Sequence, residues 1–347
     1  MVLARSPETD SHTRNLCFLR PNPLSDRRAE VHVEVRVVVH VAVAVAAEDV
    51  AAVEVRNMTN EKDRFGLGWR RQLAFEILSN LDRIDLVEVI ADDFFSAPRN
   101  ERRALKTLAA QVPITLHGVT LGLASSVSVE SRRLDQTARL CEEVGPVSWS
   151  EHLAFVRGGG IEIGHLAAPP RCDETIEGTL KNLALAHSIV GVSPQLENVA
   201  TLIYPPMSCY DEATWISKII SNSQSDLLLD LHNLHANAVN FGFDPVNFIS
   251  RIPVGRVKSI HLAGGKWVGK GNDTRVLDDH LHDVPEPVFA LLEEVGANTE
   301  PGLTIILERD GHFPPIESLL NQLEQARQAL ARGRNRRTRL AQVEVAA

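Results

Sequence analysis

Cysteine is scarce in this 347-residue chain: there are four, Cys17, Cys141, Cys172 and Cys209, and no two form a CxxC pair. That excludes a disulfide framework and a thiolate zinc site, and it suits a reducing cytoplasm with free, mostly buried thiols. No apolar run reaches 18 residues, so the sequence offers no transmembrane helix. Basic residues are outnumbered, 36 Lys and Arg against 45 Asp and Glu, for a formal charge of −9. Nucleic-acid binding needs a concentrated excess of cations, so this balance argues against such a partner. No GxGxxG follows the first strand pattern and no P-loop occurs anywhere, which disfavours an open nucleotide-binding sheet. What the chain has in quantity is apolar material, 44%, and histidine, 13 residues.

Residues 1–57 differ from the rest. Every odd position from Val31 to Val45 is valine, formally a strand signal. The run exceeds an ordinary strand of ~3–10 residues, and no hairpin partner of similar character follows. It reads as a low-complexity leader outside the folded domain, disordered or preceding a true start at Met58. Charged and histidine residues interrupt its apolar stretch, which disfavours a signal peptide. Residues 58–331 then alternate short apolar runs with amphipathic stretches. The runs are Phe65–Gly68, Leu86–Ile90, Ile114–Gly118, Pro146–Glu151, Pro194–Asn198, Asp226–Asp230, Val257–Ala263 and Thr304–Glu308. Eight βα units in this span predict an α/β fold, a (β/α)8 TIM barrel. Two stretches are longer than ordinary loops: Arg157–Cys172, whose glycines predict a β-hairpin over the barrel mouth, and Gly264–Pro285. The segment 332–347 holds five arginines and one glutamate and reads as a basic, flexible, solvated tail, leaving the barrel itself acidic.

Catalytic groups of such barrels project from the C-terminal ends of the strands. At those ends stand His117, Glu151-His152, Glu197-Asn198, Asp230 with His232, Asn233 and His235 beyond it, His261 and Glu308, and the loop after the seventh strand adds Asp278-Asp279-His280 and His282. Acids and imidazoles converging on one mouth stay unpaired or repel unless cations neutralise them. Nitrogen and carboxylate donors without thiolate suit Fe, Mn or Zn in an open site. The ligand count exceeds one coordination sphere, so two or three metals with Glu197 bridging is the natural reading. Glu88 and Asp92-Asp93 are left between an outer role at the metals and a solvated loop. His165, His187 and His312 read as structural, Trp149 as core and Trp267 as loop packing, and Gly66 and Gly68 as close-packing positions.

The runs LHGVTLGL, SEHLAF, LENVAT, LLLDLHNLHANAVNFG, IHLAGG, DDHLH and LERD, in this order, resemble the multinuclear non-haem iron-dependent oxidative enzymes, known earlier as a domain of unknown function and exemplified in methanobactin biosynthesis. The resemblance spans Gly66 to about Ala329. It implies a xylose-isomerase-like barrel, two or three iron ions in mixed Fe2+/Fe3+ state, and O2-dependent modification of cysteine in a ribosomally made precursor peptide. Position by position it implies metal ligands at His117, His152, Glu197, Asp230, Asn233, His261, Asp278, His280 and Glu308, with His117, Glu197 and Asp230 central to catalysis. The family often has two asparagines where this chain has His232-Asn233, and an EN pair where it has Asp92-Asp93. A small leader-binding partner protein is expected too, because a closed barrel has no sheet edge on which a peptide could add. Alternatives are a divalent-metal isomerase or phosphodiesterase on a similar barrel, and a non-catalytic metal-binding protein.

Overall fold

A computed structural model describes residues 62–346, so the expectation for 1–57 lies outside the described residues. Eight parallel strands close into a barrel: β1 (Arg64–Gly68), β2 (Leu86–Ile90), β3 (Ile114–Gly118), β4 (Ser148–His152), β7 (Gln195–Glu197), β8 (Leu227–Asp230), β9 (Val257–Leu262) and β12 (Thr304–Leu307), with β12 pairing back onto β1. Their apolar character has a simple cause. Strands covered by helices outside and by each other inside see no water, so they read as continuous Leu, Ile and Val. Leu86, Val87, Leu116, Leu196, Leu227, Ile260 and Ile305 are fully buried. At Gly66 an added Cβ would lie 2.3 Å from the Leu86 carbonyl oxygen, so close packing of β1 on β2 requires glycine there.

Most helices lie in the amphipathic stretches between the apolar runs, among them Asp173–Val190 and Pro245–Arg251. One was missed. Helix Leu231–Phe241 starts immediately after β8, and its apolar and polar residues gave no separate amphipathic signal because nearly its whole first half is buried. The segment from Arg332 is not a frayed tail: helix Ile316–Ala346 runs through it. Its arginines meet the acids of the neighbouring helix Glu286–Asn298, Arg332 binding Glu293 at 2.7 Å and Arg336 binding Glu294, while Arg334 reaches Asp63 at 3.0 Å. The excess positive charge is a complement to a neighbouring acidic face.

Both long excursions hold structure. β5 (Phe155–Gly158) and β6 (Ile161–Ala167) form the expected hairpin, and β10 (Lys266–Val268) pairs antiparallel with β11 (Arg275–Leu277). The reasoning that a barrel offers no sheet edge therefore fails here, because the two-stranded hairpin sheet brings edges of its own. Trp149 is core, its indole N–H donating to the Val192 carbonyl at 3.0 Å, but Trp267 is 63% exposed and packs little. The thiols are less buried than expected: Cys141 and Cys172 are half-buried and Cys209 is exposed.

Candidate metal centre

The first layer of the site is built by β3 and β4. His117 Nδ1 lies 2.8 Å from Ser150 Oγ, and His152 Nδ1 lies 3.2 Å from the Gly118 carbonyl oxygen. A carbonyl can only accept, so His152 carries its proton on Nδ1; the Ser150 hydroxyl, aimed at the Leu116 carbonyl, accepts from His117 in the same way. Both rings thus turn their Nε2 lone pairs inward, where each lies 3.4 Å from Glu197 Oε2. On the other side of that carboxylate, His261 Nδ1 stands 3.4 Å from Glu197 Oε1 and 3.2 Å from Glu308 Oε2, while its Nε2 is held by Glu88 at 3.0 Å. Glu88, left undecided by the sequence, orients His261 as a carboxylate orients a metal-binding imidazole.

These separations are too long for charge-assisted hydrogen bonds, which run at about 2.7–2.9 Å. They match the edge of a coordination polyhedron instead: donors each about 2.1 Å from one cation sit about 3.0–3.4 Å apart. Glu197 Oε2, His261 Nδ1, Asp230 Oδ2, Asn233 Oδ1 and Glu88 Oε1 are buried with no hydrogen-bond partner. Such atoms cost about 1–3 kcal/mol each when left unsatisfied. A cation relieves that cost. Three overlapping groups could each hold an ion: Glu88, His117 and His261; His117, His152 and Glu197; and Glu197, Asp230, His261 and Glu308. The donor set, all imidazole nitrogen and carboxylate or amide oxygen, fits iron.

Asp230 shows how the chain fixes one ligand atom. Its Oδ1 caps helix Leu231–Phe241 by accepting from the Asn233 amide at 2.6 Å, which leaves Oδ2 free to face the cluster. Asn198 clasps its backbone: the Asp230 N–H donates to Asn198 Oδ1 at 2.9 Å and Asn198 Nδ2 donates to the Asp230 carbonyl at 3.0 Å. β7 is only three residues long, and this side chain continues its pairing with β8 beyond the last ladder position. Asn233 Nδ2 donates to the Asn198 carbonyl at 3.0 Å, which turns the Asn233 amide oxygen toward the cluster. Asn198 stood among the strand-end residues without a role of its own and Ser150 was not singled out; their positions beside Glu197 and His152 at strand ends were the available signal.

The loop residues divide. His280, held at a φ of 53°, lies with Nδ1 3.4 Å from Glu308 Oε2 and 3.2 Å from Asp310, and Arg70 donates to Asp310 at 2.9 Å. Asp278 is engaged by His232 at 2.6 Å and faces His280 Nε2 at 3.0 Å, and neither Asp278 nor His280 belongs to any of the three groups. Asp92 closes the loop after β3 by accepting from the Val119 amide at 2.9 Å, Asp93 is exposed, and His282 pairs with Asp279 at 2.9 Å on the outside. His165, read as structural, lines the cleft of about 470 Å³ that leads past Glu197, Asn233, Asp278 and His280.

Burial and charge set the protonation pattern. Burial opposes the charged form of His152, but Glu197 and then Glu151 raise its pKa from 6.5 to about 9. His261 is also raised well above its ordinary value, burial being outweighed by Glu308, Glu88 and Glu197. Glu308 is lowered well below the usual range: His261 and His280 outweigh its burial. Asp230 is raised by burial, then by Asp278 and Glu197. Without cations, protons on His152, His261 and His280 offset the buried carboxylates.

Similarity to known proteins gives the family and the type of barrel. A UPF0276 protein of Streptomyces avermitilis is 32% identical over 78% of this chain, which spans 56% of that protein's length. Another from Rhizorhabdus wittichii is 32% identical over 76% of the chain and 93% of its own length. Solved structures share the fold: endonuclease IV from Thermus thermophilus (TM-score 0.50, 15% identity, 77% of this chain and 99% of that one) and 3-keto-D-glucoside 4-epimerase from E. coli (0.51, 15%, 77% and 100%). A xylose isomerase domain containing protein from Salmonella typhimurium is alike at 0.51, with 15% identity, over 79% of this chain and 99% of that one. The barrel is therefore xylose-isomerase-like. The RiPP precursor modification enzyme MbnB/TglH/ChrH family matches residues 64–331, and the chain belongs to that family.

Proposed function

We infer that the chain is a multinuclear non-haem iron enzyme that uses O2 to modify cysteine residues of a ribosomally synthesised precursor peptide. The observation that carries this reading is the Glu197 carboxylate, whose two oxygens face two different sets of buried imidazoles, His117 with His152 and His261. A carboxylate so placed could serve two ions, one with His117 and His152 and one with His261. His117, His152, Glu197, Asp230, Asn233, His261, His280 and Glu308 would hold the iron, and Asp278 would orient His280. Iron held there would supply the dioxygen and electron-transfer chemistry and would lower the pKa of a substrate thiol.

The protein's own residues prepare that chemistry. Ser150 and the Gly118 carbonyl hold the tautomers of His117 and His152; Glu88 retains the proton on His261 Nε2; Asn198 and the helix cap fix Asp230. The buried walls exclude water, and the cleft beside His152 and His280 admits a side chain as slender as cysteine. A sugar isomerase would want a lysine at the reacting centre, whereas Lys266 is half-exposed and paired with Asp279 at 3.2 Å.

The test is to isolate the protein anaerobically from iron-replete cells, count iron per chain, and incubate it with O2 and the cysteine-containing peptide encoded beside its gene, with and without any small partner protein encoded there. A peptide mass change that requires O2, the cysteine and His117 is the expected result. One zinc per chain with an unaltered peptide would refute the reading.

A further inference from the structure

A strand at the edge of a two-stranded sheet presents a row of backbone donors and acceptors that a second chain can pair with. Among the described residues β6 has a strand partner on one side only, β5. Its register is uneven. Gly158 pairs with Ile161 and Arg157 with Glu162, but the next pair is Phe155 with Ala167, so Ile163 to Leu166 stand opposite the single residue Val156, with Gly164 at a φ of 70°. Bulges of this kind re-aim a strand and commonly lie beside active sites. β6 also carries Ile161 and Ile163 on one face, 71% and 43% exposed, an unusual placement for apolar residues on a free edge.

The hairpin is held firmly. The Arg157 guanidinium donates to the carbonyls of Leu121 at 3.0 Å and Thr120 at 2.7 Å and to Glu162 at 2.8 Å, tying it to the loop after β3, which is the strand of His117. Its far end runs into the centre: His165, Leu166, Ala167 and Ala168 line the same cleft as His152, Glu197 and His280. The edge and the candidate metal site are thus one continuous surface.

We propose that the β6 edge, Ile161–Ala167, receives the precursor peptide as an added strand that delivers its cysteine into the cleft at His152 and Glu197. The occupant is an extended peptide segment beside the modified cysteine, with apolar side chains at the alternate positions that face Ile161 and Ile163. Main-chain pairing supplies affinity with little demand on sequence, and the side-chain alternation sets which residue enters the cleft. This rests on the reading of the chain as a peptide-modifying enzyme.

The experiment uses the iron-loaded full chain and the adjacent cysteine-containing peptide, with any co-encoded partner protein present throughout. Single backbone N-methyl groups are placed along the peptide, and the enzyme variant Ile161→Asp/Ile163→Asp is compared with wild type. Expected are at least tenfold weaker binding for N-methyl groups at alternate positions only, at least tenfold weaker binding by the variant at unchanged iron content, and slowed hydrogen exchange across Ile163–Leu166 on peptide addition. Modification of the peptide at wild-type affinity by the variant, with no alternation in the N-methyl series, overturns strand addition and leaves the enzymatic reading standing. A peptide neither bound nor modified by wild type overturns the enzymatic reading itself.

Discussion

The metal-free protein should lose stability as pH rises, and His152 sets the scale. Its folded-state pKa is raised from 6.5 to about 9. A raised histidine contributes stability that is fully present below the unfolded pKa, near 6.5, and is lost as pH climbs through the folded value. At 1.36 kcal/mol per pKa unit this amounts to about 3 kcal/mol from His152. His261 and His280 are shifted in the same direction by the carboxylates around them. In a barrel of this size 1 kcal/mol is worth roughly 2–4 °C, so the metal-free melting temperature should fall by about 6–12 °C between pH 6.5 and 9.5. With iron in place the cations take over the protons' role, and the fall should be much smaller. Calorimetric melts of chelated and iron-loaded protein across that range make the comparison. A metal-free melting temperature that is flat or rises from pH 6.5 to 9.5 would refute the assignment of protons as stand-ins for cations.

Replacing Glu197 with Gln removes the bridging charge while keeping size, and elemental analysis should find at least one iron fewer per chain than in wild type. Asn198→Ala strips two hydrogen bonds from the buried Asp230 backbone; urea unfolding should show a loss of about 2–3 kcal/mol, accompanied by reduced iron content. Deleting 332–347 removes the pairings of Arg332, Arg334 and Arg336, and the melting temperature should drop by several degrees rather than stay constant, as a solvated tail would predict. Deleting 1–57 should leave melting and iron content unchanged; loss of soluble, metal-loaded protein would show that the leader belongs to the folded unit.

Much of this protein is written locally. The barrel strands are short and mostly buried on both faces, so the apolar runs Leu86–Ile90 and Ile114–Gly118 could be delimited to the residue, and the polar residues that end such runs identified the mouth. Helix Leu231–Phe241 escaped notice because it follows β8 directly and its polar residues His232, Asn233, Asn237 and Asn240 are buried with the apolar ones, which erases the amphipathic stripe. The arginines from 332 onward were read as a tail because their acidic partners lie about 40 positions away, on another helix. Sequence could name His117, His152, Glu197, His261 and Glu308 as neighbours in space, since a barrel brings all strand ends together whatever their separation along the chain. It could not say which atom of each faces inward. That depends on Ser150, the Gly118 carbonyl, Glu88 and Asn198, whose contacts cross between strands and exist only once the barrel closes. The edge of β6 is of the same kind: its glycines foretold a hairpin, but only the folded chain puts the end of that hairpin in the cleft.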